Sequence, residues 1–167
     1  MCAVHPPAFW RGSSTGIIAV LLFVFLPTAA RAQARAAGFV KVLTGAATIV
    51  RAGQALPVKL GDPVHQADTL RTGPDGQLGL TLRDETRVSL GPNTEVTLAT
   101  FAFSPGERPL GLVLRVLTGI IGYISGRIAA LAPESTRIET PSSIIGVRGT
   151  HLLISAGPPA APAPTAR

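Results

Sequence analysis

Three apolar-polar-apolar triplets recur in the middle of the chain: Leu80-Thr81-Leu82, Val88-Ser89-Leu90 and Val96-Thr97-Leu98, each starting eight residues after the last. Alternation of period two puts both apolar side chains of a triplet on one face of a strand. The gaps between them, Arg83 to Arg87 and Gly91 to Glu95, are polar or turn-rich. An eight-residue step is too short for one coil of a repeat protein, so the pattern predicts successive strands of one domain.

The same reading extends outward. Phe39 to Leu43 and Ala47 to Val50 are strand-like and flank Thr44-Gly45, a predicted turn. Leu56 to Leu60 alternates loosely and is broken by Gly61-Asp62-Pro63. Thr69 to Thr72 leads into Gly73-Pro74-Asp75-Gly76, where proline presets φ and glycine supplies positive φ. Phe101 to Leu110 reads as a loop. Leu112 to Leu117 reads as one strand, and Gly119 and Gly122 punctuate a second that runs through Tyr123 and Ile124. Gly126 to Ala132 predicts a single helical turn, and Thr136 to Thr140 and Leu152 to Ser155 are the last two strands. The fold class is therefore all-β, one compact domain over residues 38–156 built of short strands, either a sandwich, a barrel or a compact solenoid. The stretch 157–167 is Gly, Pro, Ala and Thr with one Arg, a composition that cannot bury apolar surface and predicts disorder.

The N-terminal pattern is of another kind. Arg11 precedes an apolar run from Gly16 to Leu26, Pro27 ends it, and Ala30-Arg31-Ala32 offers a small-residue cleavage site, with Ala32-Gln33-Ala34 as a second. About 11 residues is well short of the ~20 a spanning helix needs, so residues 1–32 read as a signal peptide, not a membrane anchor. No integral membrane segment is expected after its removal. The expected compartment is the periplasm, with secretion or display at the cell surface as the alternative. Cys2, the only cysteine, leaves with that segment, so the processed chain forms no disulfide.

Charge changes the picture little. Once Arg11 and Arg31 leave, 13 basic residues face 9 acidic ones, and they are spread along the chain. Nucleic-acid binders cluster their cations and interleave aromatics; this chain keeps Tyr123 and three phenylalanines, so no nucleic-acid partner is expected. Asp62, His65 and Asp68 offer an imidazole and two carboxylates within seven residues, but at no standard metal spacing, and aspartates in turns bond local backbone. They are read as turn residues, and no metal or cofactor is assigned. His65 and His151, with Ser142-Ser143 near the latter, supply no nucleophile elbow. Asp84-Glu85 reads as a solvent-facing turn pair, not the acid pair of a glycosidase. The chain is not read as an enzyme.

The densest motif is Thr140-Pro141-Ser142-Ser143-Ile144-Ile145-Gly146-Val147-Arg148-Gly149-Thr150. Pro141 biases Thr140 toward extended backbone, and Gly146 and Gly149 permit angles or approaches that a Cβ would block. It lacks the strand-to-helix context of a phosphate loop. Arg148 is expected to cross to backbone carbonyls or to an acid such as Asp62 or Asp84 and so lock the final strand. Thr140, Pro141, Gly146, Arg148, Gly149 and Thr150 are the structural or partner-binding candidates.

With these residues in order, the chain resembles the FecR domain family of bacterial envelope proteins over roughly Phe39 to Ser155. The slots are Gly61-Asp62, Asp68 to Gly73, Asp84-Glu85-Thr86, Leu90-Gly91-Pro92, Leu117-Thr118-Gly119 and Thr140 to Thr150. Glu85 stands where the family commonly has glycine, which predicts a different turn there. The resemblance implies a non-catalytic protein-binding or sensing module of the envelope. The alternative is a structural envelope protein that binds polysaccharide or peptidoglycan. The anti-sigma segment, membrane helix and receptor-facing region of FecR-type sigma regulators have no counterpart in the sequence, so iron-siderophore signalling does not carry over.

Overall fold

A computed structural model describes residues 35–104, 109–149 and 151–157, all within one compact unit, Gln33–Arg167. The expected signal peptide, Thr150 and the tail from 158 onward lie outside the described residues. Twelve strands follow in order: β1 (Gly38–Thr44), β2 (Ala47–Arg51), β3 (Gln54–Pro57), β4 (Pro63–Val64), β5 (Thr69–Thr72), β6 (Gln77–Leu82), β7 (Arg87–Leu90), β8 (Glu95–Ala102), β9 (Gly111–Ile124), β10 (Thr136–Glu139), β11 (Ile144–Gly146) and β12 (His151–Ala156). One short helix, α1 (Arg127–Leu131), and a 3-10 turn at Pro133–Ser135 separate β9 from β10. The all-β expectation holds. Among the described residues no helix is long and apolar enough to cross a membrane.

The strands form one curled sheet with two leaves that share β9. In the first leaf the order is β3-β2-β5-β8-β9-β10-β11; in the second it is β12-β9-β7-β6-β1-β4. All pairings are antiparallel except β9 with β10, which the α1 connection makes parallel. The triplets behave as their alternation dictates: Leu80, Leu82, Val88, Leu90, Val96 and Leu98 are all buried in a single apolar cluster drawn from both leaves. Each such side chain contributes roughly 1.5–3 kcal/mol relative to exposure.

Four local readings need correction. Phe39–Leu43 and Ala47–Val50 are strands, but they do not pair across Thr44-Gly45; β1 joins β6 in one leaf and β2 joins β5 in the other. Local alternation cannot tell a hairpin from a crossing between leaves. The expected loop after Phe101 begins later, because β8 runs on to Ala102 against Gly111. The two strands expected on either side of Gly119 are one strand of 14 residues. Finally, β11 was not anticipated; three residues are too few to show a period.

Gly119 is where β9 passes from leaf to leaf. Its φ is +95°, and a Cβ there would lie 2.5 Å from Thr94 Cα and 2.6 Å from Thr94 Cβ. Both conditions select glycine. Thr94 uses the space: its Oγ1 accepts from Ile120 N (3.0 Å) and lies 3.1 Å from Pro92 O, and its own N–H donates to Thr72 Oγ1 (2.9 Å). Thr72 Oγ1 in turn donates to Gly91 O at 2.6 Å. Two buried threonines thus tie β5, the β7–β8 turn and the bend of β9 together.

Candidate functional site

Residues 140–149 of the motif form the outer corner of the first leaf, and their position is set from a distance. Asp84, expected on a solvent-facing turn, is 0% exposed. Its carboxylate accepts from Thr86 Oγ1 (2.7 Å), Thr86 N (3.2 Å) and Ile128 N (3.4 Å), while its carbonyl accepts from Arg127 N at 2.7 Å. Gly126 makes no side-chain cap, so Asp84 supplies from the β6–β7 turn the acceptor that the start of α1 lacks. Glu85 takes φ +70°, a left-handed conformation that favours glycine, so the residue strains that turn. Anchored in this way, α1 returns the chain alongside β9 as β10, with Thr136 opposite Leu112 and Ile138 opposite Leu114.

Thr140 and Pro141 then turn the chain. Thr140 N donates to Ser143 O (2.8 Å), and Thr140 Oγ1 accepts from Ser143 N (3.0 Å) and meets Ser143 Oγ at 2.9 Å. Ser142 and Ser143 are thereby residues of an exposed turn, while His151 sits exposed at the start of β12 in the other leaf. Among the described residues β11 pairs only with β10, and no described strand borders its other edge. Val147 N donates to Thr136 O (3.2 Å) and its side chain is buried, which pins the hairpin to the core.

The glycines and the arginine of the motif do less than their spacing promised. Gly149 has φ +72°, as its reading required. Gly146 is an ordinary strand residue, and a Cβ there would meet nothing within 4 Å. Arg148 is exposed and, among the described residues, neither pairs with an acid nor donates a hydrogen bond. It does not reach Asp62, whose carboxylate accepts from Lys59 N (2.7 Å), nor Asp84, which is enclosed. The arginine that does lock the fold is Arg51, at the end of β2. Its Nε donates to Asp68 Oδ1 (2.9 Å) and its Nη2 to Asp68 Oδ2 (2.7 Å) and Pro63 O (2.8 Å). This hydrogen bond, and secondarily the charges of Asp68 and Asp62, raise the Arg51 pKa despite partial burial. Asp68 Oδ2 also accepts from His65 N (2.7 Å), so the Asp62–His65–Asp68 cluster is turn chemistry reinforced by a guanidinium fork. A lone arginine at a strand end carries no local signal of a carboxylate 17 residues away.

Two grooves flank the β10–β11 hairpin. One, of about 400 Å³, is lined by Thr97, Arg115, Val116, Leu117, Glu139, Thr140 and Pro141. Arg115 Nε donates to Glu139 Oε2 (2.6 Å) within this lining, and Thr97 shares a 2.8 Å hydroxyl contact with Thr69. The other, of about 220 Å³, is lined by Pro133, Glu134, Thr136, Arg137, Ile144, Gly146 and Arg148. Ile144, opposite Glu139 in the ladder, is 69% exposed. Among the described residues the corner therefore offers an unpaired strand edge, an exposed aliphatic side chain and an unpaired guanidinium, groups suited to holding an extended segment.

The family model described as FecR protein matches residues 68–161, more than half of the 167-residue chain and all of this corner. The one slot before Asp68, Gly61-Asp62, falls outside the match. No curated protein and no solved structure matches the chain.

Proposed function

We propose, because the chain belongs to the FecR family, a regulatory rather than catalytic family, that it is an exported sensing or signalling module of the bacterial envelope and works by binding a protein partner. The observation that carries this reading is the edge of β11 left unpaired among the described residues, with Ile144 and Arg148 beside it. An extended segment of a partner adds to β11 through main-chain hydrogen bonds, Ile144 supplies apolar contact, and Arg148 favours an acidic side chain on the incoming strand. The periplasm is the compartment that the N-terminal pattern favours.

The test is site-specific photocrosslinking from position 144 in cells, with position 48 on β2 as the control. A discrete protein adduct from position 144 that disappears when Arg148→Glu is added, at unchanged melting temperature, supports the reading. Absence of any adduct specific to position 144 overturns it. Fusion of residues 1–32 to alkaline phosphatase tests export separately, since the reporter is active only outside the cytoplasm.

The 400 Å³ groove favours a second reading, a structural protein that binds polysaccharide or peptidoglycan. Its threonines, arginine and glutamate present donors and acceptors beside the aliphatic surfaces of Leu117 and Pro141. Retention on insoluble wall material that is lost in Arg115→Ala supports that alternative.

A further inference from the structure

The outward faces of the two leaves differ in charge pairing. On the first leaf Arg71 meets Glu95 at 2.9 Å and Arg115 meets Glu139 at 2.6 Å, while Arg137 on β10 is exposed without an acid partner among the described residues. On the second leaf no outward cation among the described residues is so paired. Lys41, on a bulge of β1, lies 6.0 Å from the Phe39 ring centroid, and Arg87 faces outward from β7; neither pairs with an acid among the described residues. The cross-strand positions of this face carry no Asp or Glu. Phe39, Val42, Ile120 and Leu153 stand exposed on it, Leu153 at 80%.

The arrangement of the apolar groups is as informative as their number. One row runs Leu153, Gly122, Ser89, Gly79, Val42 across β12, β9, β7, β6 and β1. Its centre is glycine and serine; its large side chains stand at the two ends, about 19 Å apart at four strand spacings. A protein partner gains most from anchors gathered at the centre of a patch, in a packed pocket. Anchors dispersed at the perimeter of a flat face suit a fluid surface into which each dips separately. A second copy stacked face to face would set Lys41 and Arg87 against their own like charges. Cations that make no ion pair among the described residues, on a face whose cross-strand positions carry no acid, complement an anionic surface.

We propose that the outward face of the β12-β9-β7-β6-β1 leaf is a peripheral membrane-contact surface that takes the headgroup layer of an anionic lipid bilayer. Phe39, Val42, Ile120 and Leu153 enter the interface and Lys41 and Arg87 meet the lipid phosphates. The contact is reversible and weakens with salt. It uses a different face from the β10–β11 corner and stands independently of it.

The test is sedimentation of the full chain with vesicles of equimolar phosphatidylglycerol and phosphatidylcholine, against pure phosphatidylcholine. Every variant is made in the full chain, so the apolar run at 17–26 contributes equally to all of them. Arg87→Glu and Leu153→Asp lower partitioning onto the anionic vesicles by about tenfold or more, while Lys59→Glu, the same charge change on the turn before β4, does not. Equal partitioning of all four proteins, or equal binding to the neutral vesicles, overturns the proposal. So does unchanged vesicle binding in Arg87→Glu and Leu153→Asp accompanied by loss of a protein captured from envelope extract, which would assign the face to an acidic protein instead. Circular dichroism melting of each variant confirms that the fold is retained.

Discussion

Arg51 closes on Asp68 with both ends of its fork, at 2.9 and 2.7 Å, and so joins the end of β2 to the turn that opens β5. The carboxylate is 1% exposed and the guanidinium side chain 37%. Removing the cation strands a buried anion, whereas solvent already screens part of the pair. Arg51→Ala is expected to cost about 2–3 kcal/mol, below the figure for a fully buried pair. Arg51→Lys recovers only part of it, because an ammonium cannot make the fork. Urea denaturation of the three proteins checks both statements.

Gly119→Ala forces a side chain into a positive-φ position against Thr94. Backbone strain and overpacking together are expected to cost about 3 kcal/mol or more. Gly122→Ala, in the same strand but with its nearest outside atom at 3.7 Å, changes the unfolding midpoint far less. Comparison of the two by thermal unfolding isolates the bend from general strand propensity.

Glu85→Gly is expected to stabilise the domain by about 0.5 kcal/mol, since relief at φ +70° exceeds the added freedom of the unfolded chain. A lowered melting temperature would contradict the strain argument.

Tyr123 sets an alkaline limit. Burial pushes its phenol up to about 12 from 10.0, with Thr86 pulling the other way and the charge of Asp84 adding to the rise. The folded state holds the proton while the unfolded state loses it. Stability is therefore undiminished below pH 10 and falls as pH rises from 10 to about 12, by about 2–3 kcal/mol in total. Tyr123→Phe removes this slope, which denaturation at a series of alkaline pH values would reveal.

Arg148→Ala is expected to leave the melting temperature unchanged, since the side chain is exposed and holds no partner among the described residues. A clear drop would restore the locking role its flanking glycines suggested.

The strands were legible wherever burial imposed a period. Leu80 to Leu98 alternates because one leaf surface is core and the other is solvent, and sequence records that directly. Pairing was not legible. Nothing local at Thr44-Gly45 distinguishes a hairpin from a crossing between leaves, and Gly119 reads equally as a strand end or as a bend. At the candidate corner, the positive φ of Gly149 followed from backbone preference, while the turn that Thr140 makes with Ser143 did not. The reach of Arg148 did not, because a long cation finds its partner through tertiary contacts. The same ignorance hid Arg51–Asp68, and it hid Asp84, whose acidic character pointed outward while its true partners were the amides of α1 and the Thr86 hydroxyl.

Sharing β9 between the leaves has a further consequence. Its first half is bordered by β8 and β10 and its second by β7 and β12, so no cut through the chain separates one leaf intact from the other. The domain should unfold and succumb to proteases as a single cooperative unit, and no truncated half should survive as a stable fragment.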